Sequence, residues 1–387
     1  MNHPTLKIEE RTLLRRIFRR LERLRGAPAA APPDVRPVGV GLVGVGNVVR
    51  WAYLPRLRGR RTFRLRAVYD LNRAAARQVA DSFGARACSS LSELTQEDGV
   101  EAVFVCTPAQ AHCEVALAAL EAGRHVLCEK PLGSSLEEAL ALWEAAREAG
   151  TAHMVNFSYR FRPDVAFASE LIRSGALGRV YHVWGALFQG GWFTETGAPA
   201  QARGDATAWR FGPGGGIVLD LGSHLIDLCR LWFGEIDQVQ AWTRQFRPGP
   251  PVCEDACGFS LSFKEGPVAH LLTSRWATGH KDCASLEVSG SEGSLVLDRG
   301  GLRLWTRGEP RWRALLVPPL RGGDFLDAFY AAIAGAFAEI PDFRDGLKNN
   351  EALDGIFQSV RSGAAVALPL RGAEARPQGL KVMDRRG

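Results

Sequence analysis

Two rhythms of secondary structure in one chain predict the fold class: a parallel, doubly wound α/β domain followed by an α+β domain with a large, mainly antiparallel open sheet. Up to about residue 157, short apolar runs alternate with helical stretches of ten or more residues, as β–α–β units require. From about residue 158, strand-like segments come in pairs, some of them joined by Gly-containing turns. At 387 residues, 46% hydrophobic and 23% charged, the chain is too long for one ordinary core and has the composition of a soluble globular protein.

Residues 1–37 stand apart. Over residues 9–25 the apolar side chains Leu13, Leu14, Ile17, Phe18, Leu21 and Leu24 share one face, and arginines occupy most of the rest, so an amphipathic helix is predicted. Gly26 stops it, and the Ala/Pro-rich run from Ala27 to Pro37 is a linker. A soluble monomer has no reason to expose that apolar face, so the helix is expected to dock on the globule or a sister subunit, within a homo-oligomer built on the second domain's sheet, ahead of two alternatives, an unbound arm and an anionic membrane surface.

The first domain is expected over residues 38–157. Strands are predicted at Val38–Val43, Phe63–Tyr69, Ala102–Cys106, His125–Cys128 and Thr151–Phe157, with helices at Arg73–Phe83, His112–Ala122 and Ser135–Ala149. The second domain, 158–387, should carry strands Val180–Phe188, Gln238–Phe246, Ala256–Lys264, Pro267–Trp276, Ala284–Gly290 and Gly293–Leu297. Helices Asp164–Ser174, Gly222–Trp232, Phe325–Ala338 and Asn349–Gly363 should cover them.

Charge and cysteine content narrow the function. The net charge is +6, but residues 1–37 hold +5 of it, so the body has no broad phosphate-binding face and no nucleic-acid partner is expected. The eight cysteines form no C-x-x-C pair and no zinc spacing, which points to reduced thiols and to no metal. No apolar run is long enough to cross a bilayer, and arginines interrupt every apolar stretch before Gly26, so a cytoplasmic protein is expected.

Gly44-Val45-Gly46-Asn47-Val48-Val49 lies where the first strand meets the first helix. A pyrophosphate there needs backbone amides at a helix start with side chains out of the way: Gly44 makes the turn and Gly46 admits the phosphates. Val49 replaces the third small residue of this fingerprint, which calls for looser helix–strand packing. Asp70 closes the second strand, placed to accept the adenosine ribose hydroxyls and to repel a 2′-phosphate, so NAD is favoured over NADP despite Arg73 nearby. The first domain therefore reads as a Rossmann dinucleotide-binding domain.

Cys106-Thr107-Pro108, His112 and Cys128-Glu129-Lys130-Pro131 follow at later strand ends. With Asn156, Tyr159-Arg160-Phe161, Trp209-Arg210, Gly214-Gly215-Gly216, Asp220 to Asp227 and Gly234, this series resembles the Gfo/Idh/MocA oxidoreductases over about residues 38–370. The resemblance implies Lys130 as the catalytic lysine, Pro131 in a rigid cis turn that aims it, and Asp220 with His224 as the paired carboxylate and imidazole. It implies a cofactor set of Gly44, Gly46, Asn47, Val48, Asp70, Arg73, Thr107, Pro108, His112, Glu129 and Lys130. The substrate set is Lys130, Asn156, Tyr159, Arg160, Trp209, Arg210, Asp220 and His224; of these Arg160, Trp209 and Arg210 serve equally well as ion-pair or packing residues.

The chemistry of these residues agrees. Asp220 and His224 stand four apart, on one face of a helix start. Oxidising a carbinol needs a base for the hydroxyl proton, for which imidazole is suited, and a cation such as Lys130 steadies developing alkoxide character. The leading expectation is an NAD-dependent dehydrogenase acting on a secondary hydroxyl of a cyclic polyol or sugar, of inositol or pyranose type. Two alternatives stand beside it: an NAD-dependent glycosidase that oxidises transiently and eliminates, and a non-catalytic NAD-binding sensor. Net release of NADH separates the dehydrogenase from the glycosidase, and the intact Lys130, Asp220 and His224 argue against the sensor.

Overall fold

The computed structural model describes residues 36–190, 210–212, 214–247, 252–264, 266–280, 282–319, 323–336 and 339–370. The predicted helix 9–25 and its linker lie outside the described residues.

Six parallel strands form the first sheet: β1 (Val38–Val43), β2 (Phe63–Tyr69), β3 (Arg86–Ala87), β4 (Ala102–Val105), β5 (His125–Glu129) and β6 (His153–Asn156), in the order β3-β2-β1-β4-β5-β6. The order reverses between β1 and β4, so the loops after these strands open the crevice in which such sheets bind ligands. A π turn, Val49–Tyr53, leads into α1 (Leu54–Leu57). Then follow α2 (Arg73–Phe83), α3 (Leu91–Gln96), α4 (His112–Glu121) and α5 (Leu136–Ala149). Their ends follow local chemistry. Asn72, Ser90 and Ser135 accept backbone N–H groups as N-caps, and Gly84 and Gly150 close α2 and α5 in the left-handed conformation. Strand β3 and helix α3 were not anticipated, being too short for periodicity to register.

After α6 (Pro163–Arg173) and β7 (Val180–Phe188), a second π turn, Val218–Gly222, runs into α7 (Ser223–Phe233). The remaining strands are β8 (Ile236–Arg244), β9 (Ala256–Phe263), β10 (Val268–Ser274), β11 (Cys283–Gly290), β12 (Gly293–Asp298), β13 (Gly301–Thr306), β14 (Arg313–Ala314) and β15 (Val366–Ala367). With β7 they make one nine-stranded sheet, β14-β13-β12-β11-β7-β10-β9-β8-β15. It is antiparallel except where β7 and β10 run parallel.

The packing departs from a linear boundary at residue 158. Helix α8 (Phe325–Ile333) brings Phe325, Leu326 and Phe329 into the core of the first sheet. Helix α9 (Phe343–Ser362) begins two turns earlier than the periodicity predicts, and those turns seat Phe343 and Leu347 against the first sheet. Farther along, Leu353 and Ile356 of the same helix join the core of the second. Gly346 shows how close the first approach is: a Cβ there would lie 2.8 Å from both Leu132 and Val155.

Candidate active site

The nucleotide crevice begins at Gly44, whose φ of +89° suits glycine. A Cβ at this position would stand 2.7 Å from the Cys106 carbonyl oxygen, so the loops after β1 and β4 touch there. At Gly46 a Cβ would meet nothing within 4 Å. Its missing side chain leaves open space beside the helix start instead of easing internal packing, which fits a dinucleotide phosphate. Asn47 is exposed and Val48 half-buried beside it. Val49 is fully buried and opens the π turn, so the looser packing expected from that side chain takes the form of a wider helical turn.

Asp70 stands at the crevice, but its carboxylate already holds the loop: Oδ2 accepts the Val45 N–H at 2.7 Å and Oδ1 the Asn72 N–H at 2.7 Å. Arg73 is exposed at the start of α2. Pro108 is exposed, and the Thr107 hydroxyl is buried without a partner. His112 is 1% exposed, its ring nitrogens 2.9 Å from the Thr107 carbonyl and 2.8 Å from the Pro131 carbonyl. It therefore joins the loop that carries Thr107 to the loop that carries Pro131 from inside.

Glu129 and Asn156 also turn inward, contrary to the cofactor and substrate roles expected of them. Glu129 Oε1 accepts the Tyr53 hydroxyl at 2.7 Å and the Asn156 amide at 2.7 Å, and the same amide donates to the Tyr53 oxygen at 2.8 Å. This triangle ties the π turn to the strand that delivers Lys130. Tyr53, fully buried, escaped the sequence reading because its ring fits the apolar stripe of a helix.

Lys130 follows β5, its bond to Pro131 cis as expected. Its Nζ donates to the Asp220 carbonyl oxygen at 2.6 Å and to Asp220 Oδ1 at 2.9 Å. Asp220 Oδ2 receives Arg210 Nε at 3.0 Å and Arg275 Nη2 at 2.8 Å. Burial alone would raise the Asp220 carboxyl, but Lys130, Arg210 and Arg275 outweigh it and hold it well below the usual carboxylate range.

The expected contact of Asp220 with His224 is not made, because three cations outcompete a neutral imidazole for the two oxygens. Tyr159 orients the ring instead, stacking on it at 4.3 Å between centroids and 10° between planes. Burial, reinforced by the Lys130 charge and opposed by Asp220, pushes His224 well below the ordinary histidine range. The imidazole is thus neutral at neutral pH and able to accept a proton; its Nδ1 is buried without a hydrogen-bond partner.

Arg160, expected in the substrate set, is engaged by two carboxylates. Its Nη2 reaches Asp227 at 2.6 Å, its Nε both Asp227 oxygens, and its Nη1 reaches Asp345 at 3.1 Å, a network spent inside the protein. Arg210 serves Asp220, and Trp209 lies outside the described residues. Besides Tyr53, two residues of the site lie in no motif. Arg275 is one; Glu254 is the other, its Oε1 accepting the Val218 N–H at 2.9 Å at the head of the second π turn. Gly216 makes room for Glu254, since a Cβ there would fall 2.2 Å from its carboxylate.

Adjacent asparagines of α9 draw the two halves of the site together. Asn349 Nδ2 donates to the Ser223 carbonyl at 2.9 Å, beside His224, and Asn350 Nδ2 donates to the Gly133 carbonyl at 2.8 Å, on the Lys130 loop. Among the described residues, no group of three or more His, Cys, Asp or Glu could hold a metal ion, and no helix is long and apolar enough to cross a membrane.

Comparison with known proteins identifies the family. The chain is similar to levoglucosan dehydrogenase of Pseudarthrobacter phenanthrenivorans, at 28% identity over 356 residues, 79% of this chain and 89% of that protein. It is also similar to D-glucoside 3-dehydrogenase of Escherichia coli, at 25% identity, covering 86% of this chain and 98% of the relative. Among solved structures, levoglucosan dehydrogenase in complex with NADH and L-sorbose superposes with a TM-score of 0.77 at 26% identity, over 87% of this chain and 100% of the other. The WlbA dehydrogenase of Bordetella pertussis, in complex with NADH and UDP-GlcNAcA, gives 0.74 at 26% identity, over 87% and 100%. Residues 38–157 match the oxidoreductase family's NAD-binding Rossmann fold and residues 165–296 its GFO/IDH/MocA C-terminal domain, so the chain belongs to the Gfo/Idh/MocA family of oxidoreductases.

Proposed function

We propose that the chain is an NAD-dependent dehydrogenase that oxidises a secondary hydroxyl of a sugar or cyclic polyol. The observation that carries this is the grouping of an ammonium, Lys130, and a neutral imidazole, His224, around one ionised carboxylate. The sheet that delivers Lys130 also carries the open glycine turn. NAD, bound at Gly44 to Val48, supplies the hydride acceptor. Lys130 donates a hydrogen bond to the substrate oxygen and steadies its negative charge as the carbinol proton leaves. His224 accepts that proton. Asp220 stays ionised and holds Lys130, so it is not the base. The sugar relatives favour a pyranose-like substrate over an inositol.

A panel of sugars and polyols, followed by NADH absorbance, tests the reading. NADH accumulating in step with an oxidised product supports it. Cleavage of a glycoside with no net NADH replaces it with the glycosidase reading, and NAD binding without turnover on any compound replaces it with the sensor.

Asp70 sets the cofactor choice. Asp70→Ala should weaken NAD binding by about 1–3 kcal/mol and relieve rejection of NADP, as expected for loss of a charged hydrogen bond. A wild-type enzyme preferring NADP tenfold or more would show this assignment to be wrong.

The chain should work as a cytoplasmic homo-oligomer. Trp184, Val268 and Trp242 lie exposed on the face of the nine-stranded sheet turned away from the core residues Val183, Leu261 and Leu271. Deleting residues 1–37 should preserve NAD binding while lowering the melting temperature or changing the size seen by light scattering. A truncated protein identical in both measurements, with full-length protein pelleting on anionic vesicles, assigns the tail to membranes instead.

A further inference from the structure

We propose that Arg275 is a positioning residue: with Arg210 it occupies one oxygen of Asp220, which leaves the other to Lys130 and holds the ammonium where the substrate hydroxyl arrives. The proposal rests on the role given to Lys130 above and adds the group that keeps it in place.

Arg275 directly follows β10, and its backbone N–H is anchored on the Asp255 carbonyl at 3.0 Å. Its side chain is 0% exposed. The guanidinium lies 5.0 Å from the centre of the Phe211 ring and sends Nη2 to Asp220 Oδ2. Its Nε and Nη1 are buried with no hydrogen-bond partner. A buried guanidinium with most of its donors unsatisfied is a poor way to stabilise a core, and an apolar side chain of similar volume would serve better. The cost makes sense if the charge is needed at the carboxylate. Arg275 and Arg210 draw on Oδ2 while Lys130 draws on Oδ1 and on the Asp220 carbonyl, so the carboxylate is held from both ends. Arg210 alone is a weaker hold, being 22% exposed.

The surroundings set what loss of Arg275 does to pH dependence. Asp220 faces Lys130 from the first sheet, Arg210 from the segment before the π turn, Arg275 from β10, His224 from its own helix and Tyr159 from the turn after β6. Glu254 and Cys253 lie within the field of Arg275. Removing one of three cations raises the Asp220 carboxyl, so its protonation, which frees Lys130, comes at higher pH.

The test uses Arg275→Met, Arg275→Gln and Arg275→Lys in the full chain. Arg275→Met should lower kcat about tenfold to a hundredfold, the scale of a 1 Å misplacement, with NADH affinity unchanged. The acid limb of kcat/KM that belongs to Asp220, distinct from that of His224, should move to higher pH. Arg275→Lys should recover part of the rate. If Arg275→Met does not fold, Arg275→Gln carries the same expectations. A crystal structure of the variant with NADH should show Lys130 Nζ no longer within hydrogen-bond distance of Asp220 Oδ1. Turnover within twofold of wild type with an unshifted acid limb, or a Lys130–Asp220 contact that persists, overturns the proposal. Failure of wild type to oxidise any compound of the panel counts against the dehydrogenase reading alone, because the crystallographic arm still reads the clamp.

Discussion

Lys130→Ala should lower kcat by about 10²- to 10⁴-fold, the usual worth of a group that stabilises charge or moves a proton at the reacting atom. The fold should survive, because Asp220 keeps Arg210 and Arg275 and is not left as an unpaired buried charge. NADH affinity should stay within a fewfold of wild type, since the proposed phosphate site lies at Gly44 to Val48, away from Lys130. Stopped-flow turnover together with NADH fluorescence titration separates the two effects, and near wild-type turnover would end the assignment. The same site predicts a pH profile. His224 must be neutral to accept a proton, and its environment favours the neutral form. A lowered pKa means the active form persists as pH falls, so the limb of kcat/KM that belongs to His224 should lie below pH 6.5 and be absent from His224→Ala.

Asp227→Ala should cost about 3–5 kcal/mol of stability, read as a lower urea midpoint. Asp227 is 1% exposed and takes Nε and Nη2 of Arg160, whose own side chain is 14% exposed. Its removal leaves that guanidinium with Asp345, which already serves Arg230. At temperatures where the variant is folded, sugar KM should be close to wild type. A large rise in KM with little loss of stability would return Arg160 to the substrate site.

Most of the fold can be read from the sequence because long elements carry long signals. Arg73–Phe83 and Val180–Phe188 appear with the predicted bounds. Two-residue strands such as Arg86–Ala87 carry no period, and the first turns of α9 present a charged, polar sequence whose buried side is set by the other sheet. The site divides in the same way. Gly44, Lys130, Asp220 and His224 lie in motifs, and the last three gather in one place. Arg275 and Glu254 lie in no motif, and their importance comes from the three-dimensional meeting of β10 and the segment before β9 with Asp220 and the π turn. Glu129, Asn156 and Arg160 belong to the same motif series but spend their polar groups inside the protein, a matter of side-chain direction that spacing does not encode.

Helix α9 bears on how this protein can be taken apart. Phe343 and Leu347 complete the nucleotide core, Leu353 and Ile356 complete the sheet core, and Asn349 and Asn350 tether one loop from each side. The nucleotide unit is therefore not a cassette ending at residue 157. A chimera that exchanges it would have to carry α8 and the first turns of α9 from the same parent, or leave Leu132 and Val155 facing a foreign surface. Recombination within the family should accordingly succeed at crossovers that keep α9 with the β5–β6 region and fail at those that split them, even though the two lie some two hundred residues apart in the chain.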